Sequence, residues 1–223
     1  MNSQEEFKYS TGVVGYPIAF VMLIWVIFWF EVRFNYSFNN YGVYPRTFEG
    51  LRGILFSPFI HSDIEHLYHN SIPLFVLSSA LFYFYRNISW KVLGYGILLS
   101  GFLTWCIGRT SFHIGASGLI YVLISFVFFK GIISKNFNLM ALSLIVVFIY
   151  GSTIWYIFPI KENMSWEGHL SGFLVGILLA FVFKKNIPAN KTYSWQNENY
   201  DTTEDPFLQQ FDKDGNFIDK DDL

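Results

Sequence analysis

Four polar side chains interrupt the apolar runs of this chain at positions where they could do chemistry together. Ser117 stands in HIGASGLIYVLISFVFF, flanked by Gly115 and Gly118 and followed one helical turn later by Tyr121; His66 and Asn70 are one turn apart in HLYHN; His169 lies in GHLSGFLVG. A serine hydroxyl is a weak nucleophile until a base within about 2.6–3.2 Å takes its proton, and imidazole is the side chain best suited to do so. At a helix start Ser117 also faces backbone N–H groups without intrahelical partners, which can receive an oxyanion. Gly168, Gly172 and Gly176 make the approach of a second helix feasible. At about 100° per residue they fall within an arc of about 80°, with His169 near its edge. Gly115 and Gly118 give Ser117 a matching smooth surface. A plainer reading also fits the residues: the glycines serve helix packing only, and Ser117 bonds to a carbonyl of its own preceding turn.

The elements that must position these groups are membrane helices. Of 223 residues, 52% are hydrophobic and 21% aromatic, while only 14% are charged, too greasy a balance for an ordinary water-soluble domain. The apolar runs are continuous rather than alternating, which disfavours a β-barrel, and several approach the roughly 20 residues that cross a bilayer. Six spans are expected, at Gly12–Phe30, His66–Tyr85, Lys91–Gly108, Ile114–Lys130, Asn138–Phe158 and Gly168–Phe183. The chain then divides into a short N-terminus (1–11), a six-helix domain (12–185) and an acidic tail (186–223). The first run lacks the basic flank and small-residue cleavage site of a signal peptide and reads as a retained anchor. Cys106 is the only cysteine, so no intramolecular disulfide and no cysteine-based metal site can form.

Basic residues near the span ends orient the chain. With the N-terminus inside, Lys8, Arg86, Lys91, Lys130, Lys135, Lys184, Lys185 and Lys191 are cytoplasmic, against Arg33, Arg46, Arg52, Arg109 and Lys161 outside. Both termini are then cytoplasmic, and the long Glu31–Glu65 connection lies outside. The second, fourth and sixth spans all begin at the outer face, so His66, Asn70, Ser117 and His169 share one membrane depth. Polar groups there default to function, with a named partner.

Taken in order, LRGILFSPFIHSDIEHLYHN, GASG, Tyr121 and GHLSGFLVG resemble the rhomboid family of intramembrane serine proteases, over about Leu51 to Phe183. The resemblance implies a six-helix bundle with a long first external loop. It makes Ser117 the nucleophile and His169 the general base of a dyad. The Ser117 N–H with the His66 and Asn70 side chains becomes the oxyanion pocket, and Tyr121 packs against the His169 ring. Gly115 matches the first glycine of the family's nucleophile motif. A dyad agrees with the sequence: the last four spans contain no Asp or Glu, and Glu167, two residues before His169, points elsewhere on a helix. Arg52 matches the family's external-loop arginine, with Leu51 where a tryptophan usually precedes it. His61 is expected as a structural hydrogen-bonder, and His69 and His113 as interface residues without a role.

The function expected is hydrolysis of transmembrane segments of other membrane proteins near the outer face of a bacterial cytoplasmic membrane. No cofactor, metal or nucleic acid is called for. The alternative is a catalytically inactive relative that binds transmembrane helices without cutting them. A metalloprotease fails because HExxH is absent and three residues, not two, separate His61 from Glu65. A channel or transporter calls for charges or broken helices at mid-depth, not at one end. From Asn186 the chain carries nine acids and three lysines, an expected solvated tail. A calcium loop does not fit DKDGNFIDKDD, because setting Gly215 at the invariant glycine puts Gln210 where the first Asp belongs.

Overall fold

The computed structural model describes residues 9–161, 164–185, 199–201, 203 and 205–218. Contacts divide it into two units, a helical bundle within residues 7–188 and a small C-terminal unit within 189–223. The structure is all-helical apart from isolated β-bridges among the described residues. The expected segments at 1–8, 186–198 and 219–223, with Lys8 and Lys191, lie outside the described residues.

Six long helices build the bundle: α1 (Thr11–Phe34), α2 (Ile64–Phe84), α3 (Ser89–Ile107), α4 (Ser117–Ser134), α5 (Phe137–Tyr150) and α6 (Trp166–Val182). Among the described residues, four helical stretches are long and apolar enough to cross a membrane: Thr11–Phe34, Arg86–Ile107, Ser117–Ser134 and Phe137–Ile157. The last joins α5 to a 3-10 segment, Gly151–Ile157, and α6 is a shorter apolar helix. α2 has the length but carries His66, His69, Asn70 and three serines, which lower its apolarity. The outward faces are strongly apolar, with Leu144 and Phe148 of α5 exposed, as suits helices that lipid rather than protein covers.

α4 is the central element. Of its most apolar window 61% is buried, against 17% for α1, which packs mainly on α2 at the periphery. Leu123 and Phe126 of α4 are fully buried with Leu67, Leu74, Leu77 and Leu81 of α2 and Leu139 of α5. The closest pairing is α4 with α6. A Cβ on Gly172 would overlap the Gly118 carbonyl, and one on Gly176 would overlap Ser125 and the Val122 carbonyl. The glycine stripe therefore works as expected, letting two backbones touch.

The connection between α1 and α2 is built from short helical turns at Asn39–Tyr41, Glu49–Arg52, Gly53–Phe56 and Ser57–Phe59. It is fastened to the start of α4 by paired bonds between Val43 and His113, and to the end of α3 by Arg46 and Trp105. Leu51 leaves no tryptophan beside Arg52, and the aromatic partner comes from elsewhere. The Arg52 guanidinium lies 4.4 Å from the Tyr41 ring centroid and donates to the Asn40 carbonyl at 3.0 Å.

In the C-terminal unit, a turn brings Phe211 opposite Phe217, and Asp212 Oδ1 accepts from the Asp214 and Asn216 amides at 2.9 and 2.8 Å. Asp212 spends this oxygen on its own backbone, a local turn of the kind acidic residues favour.

Candidate active site

α2, α4 and α6 start at the same end of the bundle, and each has a distinct starting device. Asp63 caps α2, its Oδ1 accepting from the His66 amide at 2.8 Å. Ser165 caps α6, its Oγ accepting from the Gly168 amide at 3.3 Å while its carbonyl takes the His169 amide at 3.2 Å. α4 begins on Ser117 itself, with Ala116 at the cap and Gly115 before it at φ +103°, a backbone conformation that favours glycine. The helix therefore starts three residues later than the apolar run, which opens at Ile114. The Ser117 N–H is one of the first in its helix and has no partner within it.

His169 Nε2 lies 3.0 Å from Ser117 Oγ. Its Nδ1 lies 3.0 Å from the Tyr156 carbonyl. A carbonyl only accepts, so Nδ1 carries the ring proton and Nε2 presents a lone pair to the serine hydroxyl. The ring plane is held from one side by Tyr121, stacked at 4.4 Å between centroids and 14° from parallel. Tyr121 is held in turn by its hydroxyl, which donates to the Thr153 carbonyl at 2.6 Å. Both carbonyls belong to Gly151–Ile157, the stretch expected as the end of a straight span running to Phe158. It is a tighter 3-10 turn instead, and that change of winding aims its carbonyls at α4 and α6.

His66 and Asn70 converge over Gly115. A Cβ there would lie 2.6 Å from His66 Nε2 and 3.3 Å from Asn70 Nδ2, so only glycine leaves the space open. Asn70 is 5% exposed, and its Nδ2 has no hydrogen-bond partner. A buried donor left unpaired costs about 1–3 kcal/mol, so this one keeps capacity for an acceptor. On the other side of His66, Nδ1 is 3.2 Å from Ser62 Oγ, whose hydroxyl also lies 2.6 Å from Asp63 Oδ2. For Nε2 to donate from a neutral ring, Nδ1 must be the unprotonated nitrogen, an acceptor on the Ser62 side.

The glycines divide their work. Gly115 faces His66 and Asn70, while Gly172 and Gly176 bring α6 against α4. A Cβ on Gly118 would come no nearer than 3.4 Å to the Gly168 carbonyl, an ordinary contact distance. A cavity of about 40 Å³ opens beside Ser117, lined among others by Ser100, Thr104, His113, Ser165 and Gly168. It has room for about one water among polar partners.

Outside the spans, burial and the nearby His66 push the His61 ring down to about 4. Neither of its nitrogens meets hydrogen-bond geometry, so the expected hydrogen-bonding role shrinks to a loose approach of the Phe59 carbonyl. The Ser62 hydroxyl and the His66 amide hold the Asp63 carboxyl below its usual range. Glu167 is directed away from His169, as expected, and accepts from the Arg109 amide at 3.1 Å. Among the described residues no group of His, Cys, Asp and Glu is arranged to hold a metal ion.

Two contributors escape a reading of side-chain types: the Tyr156 and Thr153 carbonyls, and His113 with Ser165. The first leave no mark, since every residue has a carbonyl. The second was visible as a histidine beside the nucleophile motif but with no indication of a partner.

Comparison with known proteins places the chain in a family. The Rhomboid domain model matches residues 49–186. An uncharacterised protein of Mycobacterium tuberculosis is 30% identical over 175 residues, covering 74% of this chain and 72% of the relative. One of Mycobacterium leprae is 28% identical over 192 residues, covering 78% and 72% respectively. The matched domain takes in more than half of the chain and includes Ser117, His169, His66 and Asn70. This is an integral membrane protein that belongs to the rhomboid family.

Proposed function

We propose that the chain is an intramembrane serine endopeptidase, in keeping with the activity typical of its family. The observation that carries this reading is the 3.0 Å approach of Ser117 Oγ to a His169 Nε2 freed to accept by the Tyr156 carbonyl. Ser117 Oγ attacks the scissile carbonyl carbon as its proton passes to His169 Nε2. The oxyanion settles near Gly115, among the Ser117 amide, Asn70 Nδ2 and His66 Nε2, at the positive ends of three helices. His169 returns the proton to the leaving amine as the C–N bond breaks. Water then attacks the acyl carbon, giving a proton to His169, and the Ser117 hydroxyl is restored. Backbone carbonyl and aromatic stacking take the orienting role that a carboxylate has in a triad.

The chain crosses a bacterial cytoplasmic membrane six times with both termini inside, following its Lys and Arg distribution. α2, α4 and α6 then start at the outer face, where the α1–α2 connection also lies. The substrates are transmembrane segments of other proteins, cut where small or helix-breaking residues expose a carbonyl. The test is labelling of detergent-solubilised protein with a fluorophosphonate or isocoumarin probe. Wild type should label and Ser117→Ala and His169→Ala should not. A wild type that stays unlabelled, beside a known intramembrane serine protease that labels, returns the reading to a non-catalytic binder of transmembrane helices.

A further inference from the structure

His113 is a buried imidazole for which the reaction scheme has no use, 4% exposed on the short loop between α3 and α4. Its backbone is pinned to Val43 by two bonds of 2.9 and 2.8 Å. Its ring has directional partners on both sides. Nε2 lies 3.1 Å from the Arg109 carbonyl, which only accepts, so Nε2 carries the proton. Nδ1 is thus an acceptor, and the Ser165 hydroxyl donates to it at 2.5 Å. Ser165 is the residue that caps α6 and whose carbonyl receives the His169 amide. Every link from His113 to the base is therefore a hydrogen bond or a covalent bond within one helical turn. From His113 to the nucleophile is four residues of chain, steadied midway by the Gly115 amide on the Ser57 carbonyl at 2.8 Å.

We propose that His113 is a positioning residue, whose bond to Ser165 ties the nucleophile's loop to the first turn of α6 and sets the separation of Ser117 from His169. This rests on the protease reading. Arg109 and Glu167 are the charged groups that face the ring, and they form a second tie between the same loop and helix, through the Arg109 amide on Glu167 Oε1 at 3.1 Å. Two ties at separate points resist rotation of the helix start as well as its translation. Displacement of a reacting group by about 1 Å can cost on the order of a hundredfold in rate, so loss of one tie should register in the chemical step.

The test compares wild type, His113→Phe and His113→Gln as full chains in detergent. Phe keeps the ring shape without either bond, while a Gln amide can both donate to Arg109 and accept from Ser165. Two readouts are taken: amide hydrogen exchange across Ser165–Leu170, and fluorophosphonate labelling resolved into kinact and KI. In His113→Phe, exchange at Gly168 and His169 should rise about tenfold and kinact should fall about tenfold, with KI unchanged. His113→Gln should restore both, and Ser165→Ala, which breaks the tie from its other side, should reproduce the loss and serves alone if His113→Phe does not fold. Unchanged exchange, faster exchange with unchanged kinact, or a glutamine no better than phenylalanine overturns the inference while the protease reading stands. An unlabelled wild type overturns the protease reading and the positioning role with it.

Discussion

Polar groups gather at both ends of α4, and the two collections differ in how far they are satisfied. At its C-terminal end, Lys130 is fully buried and donates to the Phe183 carbonyl at the end of α6. Nearby Ser143 of α5 shares its hydroxyl among the Val127, Phe128 and Leu139 carbonyls at 3.0–3.2 Å. Ser134 donates to Gly131, and the Asn136 side chain caps α5. These groups close on one another and join helices. At the N-terminal end, the Ser117–His169 bond lies near Asn70 Nδ2, which has no partner, and near the first amides of α4, which lack intrahelical ones. On the protease reading proposed above, equal polarity in an apolar bundle serves structure at one end and a ligand at the other. The polar groups named at the C-terminal end are paired with one another, apart from the buried Tyr85 hydroxyl beside them, while Asn70 Nδ2 next to the Ser117–His169 bond is not.

The comparison is broken most decisively at the dyad. Ser117→Ala and His169→Ala should each reduce probe labelling or substrate cleavage by at least about 10³-fold, with the melting temperature close to wild type. If both unfold the protein instead, the open end is as structural as the closed one. Asn70→Ala and His66→Ala come next, each expected to lower turnover by about 10²–10³-fold, the effect of losing an oxyanion donor. Because Asn70 Nδ2 has no partner at rest, its removal should leave thermal stability nearly unchanged, which a circular dichroism melt checks.

His61 sharpens the contrast through pH. Its folded pKa of about 4 lies below the ordinary 6.5, so on acidification the unfolded chain takes up the proton first. Stability should fall between pH 6.5 and 4, by up to about 3 kcal/mol, and this contribution should level off below that window. A denaturant series at several pH values should show the His61 part of the slope vanish in His61→Phe. Gly176→Ala forces a methyl into Ser125 and the Val122 carbonyl and should cost about 1–3 kcal/mol in the same assay. The smallest effect is expected from Lys130→Met, a loss of about 1–2 kcal/mol as the Phe183 carbonyl goes unpaired. Labelling rate per folded molecule should stay at the wild-type value; a large drop there would make the closed end part of the chemistry.

Ser117, His169, His66 and Asn70 were legible in the sequence because polar side chains inside apolar runs are costly and so conspicuous, and because alternate spans begin at one face. The glycine stripe of α6 was legible through its spacing, and the structure puts Gly172 and Gly176 where two backbones meet. The end of α5 was not legible. The run from Asn138 to Phe158 is apolar throughout, and hydropathy does not register that the helix tightens after Tyr150. Nor was the start of α4, since Ile114 prolongs the apolar run while Gly115 breaks the helix. His61 was assigned a bond that its burial does not supply, and His113 was given no role because Ser165, its partner, is 52 residues away.

The Tyr156 carbonyl has a consequence for genetics. Replacing the tyrosine by almost any other residue leaves the carbonyl where it is, so a mutational scan of Gly151–Ile157 would pass over the group that selects the tautomer of His169. Proline at position 157 is the exception, because it drives the preceding residue toward extended backbone and swings that oxygen away. A loss of activity confined to that one substitution would be the genetic signature of a catalytic constellation oriented by the main chain.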